Sequence, residues 1–175
     1  MPNTWIASLR LLLQQLKSKS AQPTRIAILG VGNQFRSDDG AGVLIARALS
    51  KRDCARDAEH LLVIEAGHAP ENTTGKLRRF APDLVLIIDA ANMGEEPGTV
   101  QWVPADDIDG MSASTHSLPL SILAHYLTLD LNCTVTLLGI QPVSNDVGEQ
   151  VSPEVLQAVH KVVDQIVEEL DTLFL

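Results

Sequence analysis

The chain has 175 residues, a formal net charge of −9 at pH 7, 45% hydrophobic residues and 20% charged residues. This composition is that of an ordinary globular protein, and the length suffices to bury a core without staples. The negative charge argues against a nucleic acid as the partner. No run of about 18 apolar residues occurs, so no membrane insertion is expected. Cys54 and Cys133 form no C-x-x-C motif and predict two free thiols in a cytoplasmic protein, where disulfides are rare.

The pattern of the N-terminal segment predicts an extra amphipathic helix docked on the main domain. Apolar residues recur at helical spacing between positions 3 and 18, and Pro23 in the following linker ends any helix. The longest apolar run in this segment is too short for the core of a signal peptide. We therefore divide the chain into an N-terminal helix with its linker, residues 1–22, and a single α/β domain, residues 23–175.

Five apolar segments of strand length follow, and helical patterns separate most of them. The predicted strands cover residues 25–29, 61–65, 84–88, 99–103 and 134–140, and the predicted helices cover residues 43–49, a short piece from 73 or 74, 118–129 and 153–173. This alternation predicts a three-layer α/β/α sandwich with a five-stranded, mostly parallel twisted sheet. The third strand is continuously apolar and is expected at the centre of the sheet. The fourth strand follows a tight Pro-Gly turn and is expected to run antiparallel.

A glycine-rich stretch with two adjacent carboxylates, residues 30–42, joins the first strand to the first helix of this domain. It does not match a dinucleotide-binding loop, because Phe35 occupies the position of the third glycine in G-x-G-x-x-G. It does not match a phosphate-binding loop either, since no Gly-Lys-Ser/Thr follows. Helix N-termini favour negative charge, and open α/β sheets bind ligands beyond the carboxyl ends of their strands. Asp38 and Asp39 are therefore either helix caps or part of a site.

Two further candidates follow later elements. Asp89 comes directly after the third predicted strand, and His116 precedes the helix predicted at 118–129. In a parallel sheet the loops that carry Asp39, Asp89 and His116 can converge at one edge. Two carboxylates and one imidazole are suitable ligands for a first-row divalent metal, with positions left open for water or substrate. The alternatives are that Asp89 caps a turn and that His116 is a surface or capping residue.

Several short motifs resemble one family in the same order along the chain. From Arg25 onward, the sequence is similar to the hydrogenase maturation endopeptidases, in the branch that serves formate-hydrogenlyase-type, membrane-bound hydrogenases. The motifs that carry the resemblance are Gly30-Val31-Gly32-Asn33, Asp38-Asp39-Gly40-Ala41-Gly42, Ala69-Pro70-Glu71-Asn72, Asp89-Ala90, Met93-Gly94, Thr115-His116, Pro119-Leu120 and Leu138-Gly139-Ile140-Gln141-Pro142. The resemblance implies a five-stranded α/β/α fold and a metal-binding, catalytic trio of Asp39, Asp89 and His116.

The chain departs from the family pattern after its second strand. Relatives commonly have an aspartate followed by two glycines there, whereas this chain has Glu65-Ala66-Gly67-His68. A role for Glu65 is therefore left open. His68 is a candidate fourth ligand or a bystander, and the absence of a motif around it favours the bystander. The N-terminal helix lies outside the resemblance.

The resemblance implies an endopeptidase of hydrogenase maturation. It would remove the C-terminal extension of a nickel–iron hydrogenase large-subunit precursor after nickel insertion, with the nickel supplied by the precursor and no nucleotide cofactor. Hydrolysis would use either a metal-bound water or a carboxylate as general base, since the sequence has no Ser/His/Asp triad pattern and no H-E-x-x-H motif. Two rival hypotheses are a non-catalytic checkpoint module that binds the nickel-loaded precursor and a metal-dependent small-molecule hydrolase.

Overall fold

A computed structural model describes residues 4–111, 118–148 and 150–174, and a five-stranded sheet lies at its centre. The strands are β1 (Ile26–Val31), β2 (Leu61–Gly67), β3 (Leu84–Ala90), β4 (Val100–Pro104) and β5 (Thr134–Ile140). The α-helices are α1 (Thr4–Lys19), α2 (Ala41–Leu49), α3 (Thr74–Phe80), α4 (Leu120–Leu131) and α5 (Pro153–Phe174). The strand order is β2-β1-β3-β5-β4. The pairings among β2, β1, β3 and β5 are parallel, and β4 pairs antiparallel with β5.

The sheet separates two hydrophobic cores because successive side chains of a strand point to opposite faces. In β3, Leu84, Leu86 and Ile88 pack with residues of α1, α2 and α5 on one face. Val85 and Ile87 pack with residues of α3 and α4 on the other face. Every residue of β3 is buried, as the continuous apolar run predicts for a strand covered on both sides. The predicted three-layer α/β/α sandwich, its central third strand and its antiparallel fourth strand are confirmed.

The element boundaries differ from the sequence prediction in two places that bear on function. Strand β3 continues through Asp89 to Ala90, because Asp89 and Ala90 still pair with β5. Asp89 is therefore a residue of the strand. The prediction that it directly follows the strand was wrong. Helix α4 begins at Leu120, and Pro119 is its N-cap residue with an extended backbone (ψ 135°), so the prediction of a helix from residue 118 was wrong at its first turn.

The N-terminal helix belongs to the core of this structure. Trp5, Leu9 and Leu13 of α1 are buried in the same cluster as α2 and α5. Arg10 of α1 also forms an ion pair with Glu169 of α5, which is itself buried. Among the described residues, none of the helices is both long enough and apolar enough to cross a membrane. Cys54 and Cys133 are buried and free, as predicted.

The helices that follow β1 and β2 pack on opposite faces of the sheet. After β1 the chain enters α2, which packs on the first face, and after β2 it enters α3 on the second face. Strand β1 therefore has β2 on one side and β3, reached only later in the chain, on the other. In open α/β sheets such a reversal leaves a crevice beyond the carboxyl ends of the two strands, where ligands bind. Asp39 follows β1, and Asp89 lies near the end of β3.

Candidate active site

Two glycines allow the first turn of α2 to lie directly on the strand ends. A Cβ atom at Gly42 would lie 2.1 Å from the carbonyl oxygen of Ile88 and 2.4 Å from that of Val31. A Cβ atom at Gly30 would lie 2.2 Å from the carbonyl oxygen of Gly42. No side chain fits at such distances, so both positions need glycine. Gly42 allows helix α2 to pack closely against the strands. In the dinucleotide-binding fingerprint the third glycine has this role, but at a different spacing from the first two.

Gly32 lies between the backbone of Asp39 and the carboxylate of Asp89. Its φ of +125° is one that residues with a side chain rarely adopt. A Cβ atom at Gly32 would lie 1.8 Å from the carbonyl oxygen of Asp39 and 3.5 Å from Oδ1 of Asp89. These two oxygens can be no farther apart than the sum of those distances. The backbone of Asp39 and the carboxylate of Asp89 are therefore neighbours across Gly32.

Asp39 lies in a short 3-10 helix, Ser37–Gly40, and is almost completely buried. Its Oδ2 accepts a hydrogen bond from the backbone N–H of Asn33 at 3.0 Å. Its Oδ1 is buried and has no hydrogen-bond partner in the part of the chain that the structure describes. A buried carboxylate oxygen that has neither a cation nor a hydrogen-bond donor beside it lowers the free energy of unfolding. The alternative that Asp38 or Asp39 caps α2 is not supported, because Gly40 is the N-cap residue and no side chain caps this helix.

Asp38 differs from its neighbour in that its carboxylate is fully satisfied. It is completely buried and accepts hydrogen bonds from the backbone N–H groups of Val143, Ser144 and Ser152 at 2.7, 3.2 and 2.7 Å. The hydroxyl of Ser152 donates a further bond at 3.0 Å. Asp38 therefore fixes the connection between β5 and α5 against the loop that carries Asp39. The sequence analysis did not find this role.

Asp89 is completely buried in the central strand. By strand alternation its side chain shares the face of Val85 and Ile87, which is the face that α3 and α4 cover. His116 lies outside the described residues and precedes the first residue of α4 by four positions in the sequence. Within residues 4–111, 118–148 and 150–174, no group of three or more His, Cys, Asp or Glu residues could hold a metal ion. The convergence of Asp39, Asp89 and His116 stays a prediction.

Glu65 and His68 lie at the carboxyl end of β2 and in the loop beyond it. Oε2 of Glu65 accepts a hydrogen bond from Nη2 of Arg47 on α2 at 2.8 Å. The hydrogen bond and the charge of Glu65 raise the pKa of the Arg47 guanidinium. Arg47 also donates to the side-chain oxygen of Gln34 at 2.8 Å. Glu65 is thus engaged in a structural ion pair, and His68 is exposed to solvent.

Comparison with known proteins identifies the class of protein that carries this arrangement. A sequence profile of the HycI hydrogenase maturation proteases matches residues 43–169, a range that begins just after Asp39 and includes Asp89 and His116. The chain belongs to the hydrogenase maturation protease family. Hydrogenase 3 maturation protease of Escherichia coli K12 is 40% identical over 116 residues, which are 66% of this chain and 71% of that protein.

Solved structures of family members share the fold. The crystal structure of the NiFe hydrogenase maturation protease HycI from Thermococcus kodakarensis has a TM-score of 0.76 at 32% identity, covering 91% of this chain and 99% of the other. The solution structure of the endopeptidase HycI from Escherichia coli has a TM-score of 0.69 at 35% identity, covering 81% and 88%. This maturation protease is therefore a peptide hydrolase, as the resemblance implied.

Proposed function

We propose that this maturation protease removes the C-terminal extension from the large-subunit precursor of a nickel–iron hydrogenase after nickel has been inserted. Family membership supports this class of substrate. The observation that carries the proposal is the Asp39 carboxylate, whose buried Oδ1 lacks a hydrogen-bond partner among the described residues. That carboxylate belongs to a residue that neighbours Asp89 across Gly32. An anionic oxygen in such a place favours an incoming cation.

The cation in this proposal is the nickel carried by the precursor, and the ligands are Asp39, Asp89 and His116. Two carboxylates and an imidazole suit a first-row divalent metal, and three protein ligands leave positions for the thiolates that hold nickel in the precursor. We expect this trio, which has two carboxylates and no cysteine, to bind free metal with only modest affinity. Nickel already held by the precursor would therefore bind the trio far better than nickel in solution, and recognition becomes a checkpoint for metal insertion.

Docking of the nickel would place the scissile peptide bond beside the same carboxylates. In this proposal Asp39 or Asp89 accepts the proton of a water molecule as that water attacks the scissile carbonyl. The amine of the extension leaves when the tetrahedral adduct collapses and takes up a proton. Nickel would polarise the carbonyl or the water in the same step. We assign processing to the cytoplasm, and the net charge of −9 argues against any nucleic-acid partner.

The test is a cleavage time course on purified precursor before and after nickel insertion, with products separated on gels. We expect cleavage of the nickel-loaded precursor and none of the nickel-free precursor, because only the loaded form presents a metal to share. Zinc added to the protease with nickel-free precursor is the matched control and should not restore cleavage. Equal rates on both precursors would overturn the checkpoint. Binding of the loaded precursor without cleavage would instead indicate a non-catalytic module.

A further inference from the structure

The connection between β5 and α5, residues 141–152, contacts through its described residues both the 3-10 helix that carries Asp39 and the loop that follows the strand of Asp89. Strand β5 pairs with β3, and β3 separates it from β1 in the sheet. The connection nevertheless reaches the 3-10 helix that follows β1, and it also holds the loop that follows β3. We call residues 141–152 the brace. Two side chains make its principal contacts, and the proposed function uses neither of them.

Asp38 forms the contact on the side of β1. Its carboxylate receives the four hydrogen bonds from the brace described above, and its own backbone N–H donates to the carbonyl oxygen of Ser144 at 3.2 Å. The hydroxyl of Ser37 donates to the carbonyl oxygen of Gln150 at 3.0 Å, and Nε of Arg36 donates to that of Asn145 at 3.2 Å. Charge-assisted hydrogen bonds in a water-excluded place are stronger than neutral ones. The residue before Asp39 is therefore fixed to the brace.

Gln141 forms the contact on the side of β3. Its side chain is largely buried, and its Oε1 accepts hydrogen bonds from the backbone N–H groups of Met93 at 2.7 Å and Glu95 at 3.3 Å. Its backbone N–H donates to the carbonyl oxygen of Thr99, and its carbonyl oxygen accepts from the N–H of Gly98, just before β4. These bonds hold the loop that begins directly after the strand carrying Asp89. The brace is thus fixed by Gln141 to the loop that follows the strand of Asp89, and by Val143, Ser144 and Ser152 to the residue before Asp39.

We propose that Asp38 and Gln141 are positioning residues that set the distance between Asp39 and Asp89. This inference rests on the proposed function, in which both carboxylates must meet one nickel ion and one peptide bond. Productive sites tolerate displacements of only about 0.5 Å, so their ligands depend on groups that hold them in place. Neither Asp38 nor Gln141 touches the substrate in this proposal. Asp38 acts through the backbone next to Asp39, and Gln141 acts through the loop that begins after the strand of Asp89.

The test compares Asp38→Asn and Gln141→Met with the wild-type protein in precursor cleavage and in 1H–15N spectra. Methionine has nearly the length of glutamine but offers no oxygen to Met93 and Glu95. Asparagine keeps the shape of Asp38 but turns an N–H2 group toward backbone donors. We expect kcat to fall about tenfold in folded protein with KM little changed, as for groups that orient metal ligands. In Gln141→Met, the amide signals of Asp39 and Asp89 should both shift.

Glu169→Gln is the matched control, because Glu169 is as buried as Gln141, at 7% exposure each, and its partner Arg10 lies on α1. This substitution should lower the melting temperature and leave kcat unchanged. The inference is overturned if folded Gln141→Met retains wild-type kcat, or if Glu169→Gln lowers kcat equally. If the wild-type protein cleaves no precursor, the proposed function fails. The spectra then decide alone, and an unshifted Asp39 signal in Gln141→Met overturns the inference.

Discussion

Arg47 and Glu65 form an ion pair between α2 and the end of β2, with Nη2 and Oε2 2.8 Å apart. Both side chains are more than a third exposed, so water and salt weaken the attraction. We expect Glu65→Gln to lower the free energy of unfolding by at most about 1 kcal/mol, as for other exposed pairs. Urea denaturation measures that loss. Precursor cleavage by the same variant should stay near the wild-type rate, and a large fall in kcat would show that Glu65 acts in the reaction.

Gly32→Ala should prevent normal folding. The added methyl would lie 1.8 Å from a backbone oxygen of Asp39, and the φ of +125° is unfavourable for alanine. Gly110→Ala is the matched control, because Gly110 also has a positive φ (+75°) but open space around it. The control should cost only about 1–2 kcal/mol, the price of a left-handed backbone. Circular dichroism melting curves compare the two, and equal melting temperatures would contradict the packing described at Gly32.

Asp39→Asn should abolish processing and leave the fold intact. The substitution removes an anionic ligand but also removes a buried charge whose Oδ1 has no hydrogen-bond partner among the described residues. The melting temperature should therefore stay equal or rise, while no cleaved large subunit forms on gels. His116→Ala should likewise lose processing. If Asp39→Asn melts well below the wild type, Asp39 is a structural residue and the proposed trio is wrong.

The thiol of Cys133 should be unreactive in the folded protein. Burial raises its pKa to about 11, so the reactive thiolate is scarce at pH 8. Labelling with a chromogenic disulfide reagent should therefore require denaturant. An unfolded thiol ionises near pH 8.5, so the folded state binds more protons between that pH and about 11. Stability should fall as the pH rises through this window, and Cys133→Ala should show a weaker fall in urea titrations.

Much of the fold could be predicted from local patterns. The apolar run of β3 and its alternation between two cores follow from the side-chain period of a strand, and the antiparallel edge strand follows from a tight turn. The difference in hydrogen bonding between the Asp38 and Asp39 carboxylates could not be predicted. Neighbours in sequence look alike as candidates, and only hydrogen bonds from residues more than a hundred positions away distinguish them. The role of Gln141 likewise depends on hydrogen bonds with residues distant in sequence, Met93 and Glu95.

The brace also bears on when a nascent chain can acquire its site. A chain synthesised only to residue 140 contains Asp39, Asp89 and His116 and all five strands. It lacks Val143, Ser144 and Ser152, and with them all four of the hydrogen bonds from the brace to the Asp38 carboxylate. It also lacks α5, which covers one face of the sheet. On the proposal that the brace aligns the candidate carboxylates, an incomplete chain emerging from the ribosome would carry Asp39 and Asp89 before the segment that aligns them, and would gain that alignment only after residues 141–152 are added.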